Sequence, residues 1–188
     1  MEKKDSKEKA KSLKREVILP AGVTFMIRNE AVVVKGKMGE AEKLLRSKRV
    51  SIRSEEGKVL LETSGISKND KKMIGTFAAH IRNLVRGVTS GYTYTLKVCS
   101  EHFPMTVSAS NNELIVKNFL GERYPRKLKL RKDVKVEITG NEIVVTSNNR
   151  ESAGQCAASI ETLAKRPNFD RRIFQDGIFI TSKPGKEI

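Results

Sequence analysis

Two stretches of this chain concentrate the side chains that hold phosphate. Between Gly121 and Lys132, six of twelve residues are cationic (Arg123, Arg126, Lys127, Lys129, Arg131 and Lys132) against the single acid Glu122, with Tyr124 and Pro125 interleaved. The run Lys165-Arg166-Pro167-Asn168-Phe169-Asp170-Arg171-Arg172 supplies four more cations at the end of an expected helix, where they also suit its negative dipole end. Each cation that neutralises a phosphate releases counterions, so clustering of this kind gives affinity for a nucleic-acid backbone without reading its sequence. A third group, Lys35, Lys37, Lys43, Arg46, Lys48 and Arg49, is diluted by Glu40 and Glu42 and reads equally well as a solvated face. The ring content, 5% aromatic with three Tyr and no Trp, is too low for a platform that stacks several bases. Recognition should therefore rest on phosphate, 2′-hydroxyl and shape, the way folded RNA is held. Double-stranded DNA is allowed on charge alone, but no helix-turn-helix, zinc-finger or basic-zipper pattern accompanies it.

Catalysis needs a constellation, and the chain offers none. His80 and His102 are its two histidines, and neither has a second His or Cys at metal-ligand spacing. Gly36-Lys37-Met38-Gly39 lacks the spacing of a phosphate-cradling loop and reads as a turn. The acids are scattered among lysines, without the pairing that proton transfer demands. We therefore expect no enzyme activity, no cofactor, no metal and no small-molecule substrate. No window approaches eighteen uninterrupted apolar residues, and Met1 to Ala10 is charged, so neither a membrane span nor a secretory leader is expected. Cys99 and Cys156 read as packed or half-packed thiols in a reducing cytosol. With 37 Lys+Arg against 22 Asp+Glu, a net charge of +15 makes a polyanion the default partner.

The elements that must position these cations are written twice. Val50 to Arg53 followed by Lys58 to Ser64 is echoed by Val134 to Glu137 followed by Glu142 to Ser147. Ile74 to Val85 aligns without a gap on Ala153 to Ala164, with five of twelve positions identical. Asn29-Glu30 leads an apolar run into Lys35 and Gly39, as Asn112-Glu113 leads one into Lys117 and Gly121. Ordered self-similarity of this kind means two copies of one module. Short β-branched runs grouped around one amphipathic helix per copy predict an α+β fold, each module a mostly antiparallel sheet packed by one helix. Ser67 with Asp70 three residues on marks the first helix start, and the second helix is expected over about Arg150 to Lys165. The resulting division is a basic tail over 1–16, a first module over 17–100 ending in the strand Tyr92 to Val98, a second over 101–183, and a C-terminal tail over 184–188. Gly177 to Thr181 is expected to be the second copy's counterpart of the Tyr92 strand.

Certain strings are more specific. Leu19-Pro20-Ala21-Gly22-Val23, Val33-Val34-Lys35-Gly36-Lys37-Met38-Gly39, His102-Phe103-Pro104, Asn118-Phe119-Leu120-Gly121-Glu122-Arg123-Tyr124 and Arg172-Ile173-Phe174-Gln175-Asp176-Gly177-Ile178 closely resemble the family of large-subunit ribosomal protein six of the universal scheme, called ribosomal protein nine in eukaryotes. The resemblance covers about Val17 to Lys183 and is of the archaeal or eukaryotic type. It implies a duplicated α+β structural protein of the cytosolic ribosome. Such a protein binds large-subunit rRNA by the sarcin-ricin loop on the factor-binding side, beside neighbouring ribosomal proteins. It further implies that the second module carries the main contact, placing Ser147, Asn148, Lys165, Arg166, Asn168, Arg171, Arg172 and Lys183 at or near RNA. The competing readings are a free-standing RNA-binding ribosome-assembly factor and, more distantly, a protein-interaction module whose charge only aids solubility.

Overall fold

The computed structural model describes residues 12–28, 30–55, 57–170 and 172–187, and the chain divides into two compact units between Thr89 and Ser90. In the first unit, strands β1 (Leu13–Ile18), β5 (Val50–Glu55) and β6 (Lys58–Thr63) form one antiparallel sheet in the order β1-β6-β5. Strands β2 (Thr24–Arg28), β3 (Ala31–Gly36) and β4 (Gly39–Leu44) form another, with β3 central. Helix α1 (Lys68–Ser90) covers them. Its stripe Ile74, Phe77, Ala78, Ile81, Leu84 and Val88 joins Val17, Val32, Val34, Val59 and Leu61 in one core, as the helical spacing of apolar residues requires.

The helix start is a capping box. Ser67 Oγ accepts from the Asp70 N–H at 3.2 Å, and the Asp70 carboxylate accepts from the Ser67 N–H at 3.1 Å and its hydroxyl at 2.6 Å. The Ser67 hydroxyl, against the opposing effect of burial, holds the Asp70 carboxyl below its ordinary range, helped by Arg49. Gly36 to Gly39 is the tip of the β3–β4 hairpin, with the Met38 N–H donating to the Val88 carbonyl at 2.9 Å. A Cβ on Gly36 would sit 2.7 Å from that carbonyl oxygen, so glycine is required where the hairpin meets the helix.

The second unit repeats the plan and extends it. Strands β8 (Thr106–Ser110), β9 (Glu113–Lys117) and β10 (Arg126–Lys129) form a sheet with β9 central. Strands β7 (Tyr92–Cys99), β11 (Lys135–Thr139), β12 (Glu142–Ser147), β13 (Gly177–Lys183) and β14 (Lys186–Glu187) form the other in the order β11-β12-β7-β13-β14, antiparallel throughout. Helix α2 (Arg150–Leu163) packs Ala153, Cys156, Ala157 and Ile160 into a core with Tyr92, Tyr94, Leu96, Ile143, Val145 and Ile178. Burial pushes the Cys156 thiol up.

Three expectations need correcting. The strand Tyr92–Cys99 does not close the first module. It lies inside the second unit's sheet, between β12 and β13. Its counterpart is therefore β1, which pairs with β6 as β7 pairs with β12, and β13 has no equivalent among the first unit's described residues. Leu13 to Glu16 is strand rather than tail, because β6 supplies its backbone partners, Val17 is buried, and Lys14–Glu62 (3.1 Å) and Lys58–Glu16 (3.6 Å) pair its charged residues. Residues 1–11 lie outside the described set. The expected C-terminal tail likewise contains β14, returned by a turn at Gly185 (φ 85°) to pair Lys186 with Lys183.

Candidate nucleic-acid interface

The six cations between Gly121 and Lys132 separate into two kinds. On β10 the burial alternates, turning Arg126 and Leu128 inward and Lys127 and Lys129 to solvent. Arg123, Arg131 and Lys132 are exposed as well. Arg126 is a clamp. Its Nε and Nη2 each donate to a Glu122 carboxylate oxygen at 2.7 Å, and Nη1 donates to the carbonyls of Leu163 (2.6 Å) and Lys165 (2.9 Å). Its guanidinium also lies 4.4 Å from the centre of the buried Phe119 ring. One arginine thus satisfies carbonyls left over at the end of α2 and fastens the strand to that end. Arg126 lowers the Glu122 carboxyl below its ordinary range, burial opposing and Arg166 assisting.

Before β10 the chain turns through a 3-10 segment, Phe119–Gly121, in which Asn118 (φ 59°), Leu120 (φ 49°) and Gly121 (φ 74°) are left-handed. The Asn118 side-chain amide fixes this turn by donating to the Pro104 carbonyl at 3.0 Å. Phe119, 2% exposed, anchors it in the core.

Past α2, Lys165 and Arg166 are exposed, and Asn168 takes a left-handed conformation (φ 66°) in the turn. The Arg166 guanidinium lies 4.5 Å from the centre of the Phe169 ring and 3.8 Å from Glu122. Arg172 leaves most of its side chain in solvent, oriented by Asp170 through contacts of 3.2 and 2.8 Å, and that pairing lowers the Asp170 carboxyl. Arg171 lies outside the described residues. Lys183 is exposed at the end of β13.

Ser147 belongs to the fold's interior. At 5% exposure, it donates its hydroxyl to the Asp133 carbonyl at 2.7 Å and accepts from the Asn149 N–H at 3.1 Å. Asn149 in turn caps α2, accepting from the Glu151 N–H at 2.9 Å. Asn148 is half-buried and has a partner of its own. In the first unit's basic group three cations are matched by acids: Lys35 with Glu40 (3.0 Å), Arg46 with Glu30 (3.1 Å) and Arg49 with the buried Asp70 (3.4 Å). On the second unit, Arg123, Lys127, Lys129, Arg131 and Lys132 form no ion pair with a described carboxylate.

Read from the sequence, Asp176-Gly177 is only a turn before the last strand; in the fold Asp176 also makes long-range contacts. Its carboxylate is buried and accepts from the backbone N–H of Glu101 (2.6 Å) and His102 (3.3 Å), with His102 Nδ1 at 3.5 Å. Burial alone would raise this carboxyl, but the two amides and the imidazole outweigh it and leave it below its ordinary value. Asp176 ties the chain entering the second unit to the chain entering β13. Its position after Phe174 and before Gly177 marks a turn, and nothing in its local spacing points 74 residues back to His102. Among the described residues no cluster of three or more His, Cys, Asp or Glu could hold a metal ion, and no helix is long and apolar enough to cross a membrane.

The features so far define a class: a duplicated α+β protein whose second half presents open cations on a clamped scaffold. Each half separately matches one family, described as "Ribosomal protein L6", over residues 19–91 and again over 103–177. The chain belongs to that family. Among its relatives are archaeal proteins named "Large ribosomal subunit protein uL6". That of Methanobrevibacter smithii is 42% identical over 174 residues, covering 93% of this chain and 98% of the relative. That of Methanococcus vannielii is 39% identical over 174 residues, covering 93% and 96%. The Methanosarcina mazei protein is 39% identical over 173 residues, covering 92% and 98%. They support the archaeal or eukaryotic type of sequence.

Proposed function

We propose that this protein is a structural constituent of the large ribosomal subunit in the cytosol. There it holds folded rRNA chiefly through its second unit, near the sarcin-ricin loop on the factor-binding side, and so supports translation among neighbouring ribosomal proteins. The observation that carries this reading is a cluster of open charge: no described carboxylate forms an ion pair with Arg123, Lys127, Lys129, Arg131, Lys132 or Lys165, whereas in the first unit's basic group Lys35, Arg46 and Arg49 are each paired. Unpaired cations on a rigid support are free to exchange counterions for phosphates. Arg166, Asn168, Arg172 and Lys183 extend the surface, and Arg171 belongs to the same proposed set. Asn148, already partnered, would contribute by its position just before the start of α2. Arg126 and Ser147 support the surface from within.

Two measurements test the proposal. Ribosomes sedimented through a sucrose gradient after a high-salt wash should retain the chain in mature large subunits and in polysomes. Confinement to precursor particles would instead mean an assembly factor. The double variant Lys127→Glu, Lys129→Glu, both exposed, should keep the wild-type circular dichroism and melting curve yet lose binding to purified large-subunit rRNA. Undiminished binding would remove β10 from the interface.

A further inference from the structure

The end of α2 encloses a groove of about 790 Å³. Four of the chain's seven phenylalanines, Phe119, Phe169, Phe174 and Phe179, line it. Phe119 is its buried floor, and the other three are half-buried. Phe169 and Phe174 meet edge to face with centroids 4.9 Å apart, and His102 adds its ring 5.2 Å from Phe174. Lys165 and Arg166 stand in the same lining, and the Arg166 guanidinium already lies against the Phe169 ring.

We propose that this groove seats one unstacked base of the bound RNA, with that nucleotide's phosphate held by Lys165 and Arg166. The inference rests on the rRNA-binding reading above and deepens it. Aromatic faces and an arginine plane are what splayed-out bases stack on, and a cation beside such a wall reaches the attached phosphate. An apolar side chain from a protein partner would find the same rings but desolvate Lys165, which no described carboxylate pairs, and cover Arg166, whose one acid is Glu122 at 3.8 Å. The groove's two acids do not cancel this preference. Asp176 is committed to the Glu101 and His102 amides, and Glu161, half-buried, offers an acceptor for an exocyclic amino group of a base. A low total of rings excludes a platform for many bases, but four gathered at one place suffice for one.

The test uses the full chain with purified large-subunit rRNA. Ultraviolet cross-linking followed by peptide mass spectrometry should place a nucleotide adduct on Phe169 or Phe174. The variant Phe169→Leu, Phe174→Leu keeps apolar bulk and removes the stacking faces. It should weaken binding by about tenfold or more and leave the salt dependence of binding unchanged, because no phosphate contact is lost. A double variant that binds as tightly as wild type, or adducts confined to residues outside the groove, overturns the groove while leaving the cationic surface intact. Failure of the wild-type chain to bind rRNA overturns both readings. In intact subunits, a photo-crosslinker at Phe174 that captures a neighbouring protein rather than rRNA assigns the groove to that protein and overturns it as well.

Discussion

At the scale of single residues, Arg126 shows how much depends on which protons of a cation are already engaged. Four of its N–H groups reach protein acceptors, two of them on one carboxylate in a fork that lysine cannot reproduce. Arg126→Lys should therefore destabilise the second unit by about 2–3 kcal/mol, read as a lower denaturant midpoint, and any effect on rRNA binding should disappear where both proteins are fully folded. Glu122 supplies the pH dependence. Its folded carboxyl titrates below the ordinary value of 4.5, so its stabilisation is complete above that value and is lost as pH falls through the lower, folded value. Unfolding midpoints measured from neutral pH downward should drop through this acid range, and Glu122→Gln should flatten the drop. Asp176 contributes with the same sign. The sequence made the cationic cluster legible but not its division of labour. In a string of three arginines and three lysines, nothing local distinguishes the one whose acceptors lie 37 and 39 residues further along the chain. Ser147 was hidden for the same reason, since the hydroxyl that could have met RNA instead meets Asp133, across a turn.

At the scale of elements, the duplication permits a controlled comparison. Gly75 in α1 and Gly154 in α2 occupy equivalent positions in the repeat, each over a side chain of the unit's first strand. A Cβ at Gly75 would meet only the flexible Arg15 guanidinium at 3.7 Å, whereas one at Gly154 would press on the Tyr94 hydroxyl at 3.0 Å and its ring carbon at 3.4 Å. Gly75→Ala should stabilise the first unit by up to about 1 kcal/mol, the helix-propensity gain. Gly154→Ala should gain nothing or lose stability, because the buried Tyr94 ring must shift. Thermal melts of the two single variants decide the point. Asn149→Ala, which removes the cap of α2, should cost about 1 kcal/mol. Most elements were readable, because period-two and period-3.6 patterns survive in Val59 to Thr63, Ile143 to Val145 and Ile74 to Val85. The misses have physical causes. β4 (Gly-Glu-Ala-Glu-Lys-Leu) buries only Ala41, so its apolar signal is almost nil. The alternation in Tyr92 to Cys99 announces a strand, but period alone cannot say whose sheet it joins.

At the scale of the whole molecule, charge and connectivity govern behaviour. If about six to ten phosphates are neutralised, affinity for naked rRNA should fall by about three to five orders of magnitude between 50 and 200 mM salt, measurable by filter binding or fluorescence anisotropy. A shallow dependence would point to an apolar protein interface instead. Each unit has its own core, and the first is completed by strands and a helix that follow one another directly. The second is different, because β7 opens it and β13 nearly ends it, with Thr181 donating to the Thr95 carbonyl across 86 residues. A chain emerging from the polypeptide exit can therefore close its first half while its second still carries a bare edge of Tyr92 to Cys99. Such an edge is a template for wrong partners until its own strand arrives. Newly made copies would be most prone to aggregate in the interval between the synthesis of α2 and that of Gly177 to Lys183, and a chaperone serving this protein would find its client there.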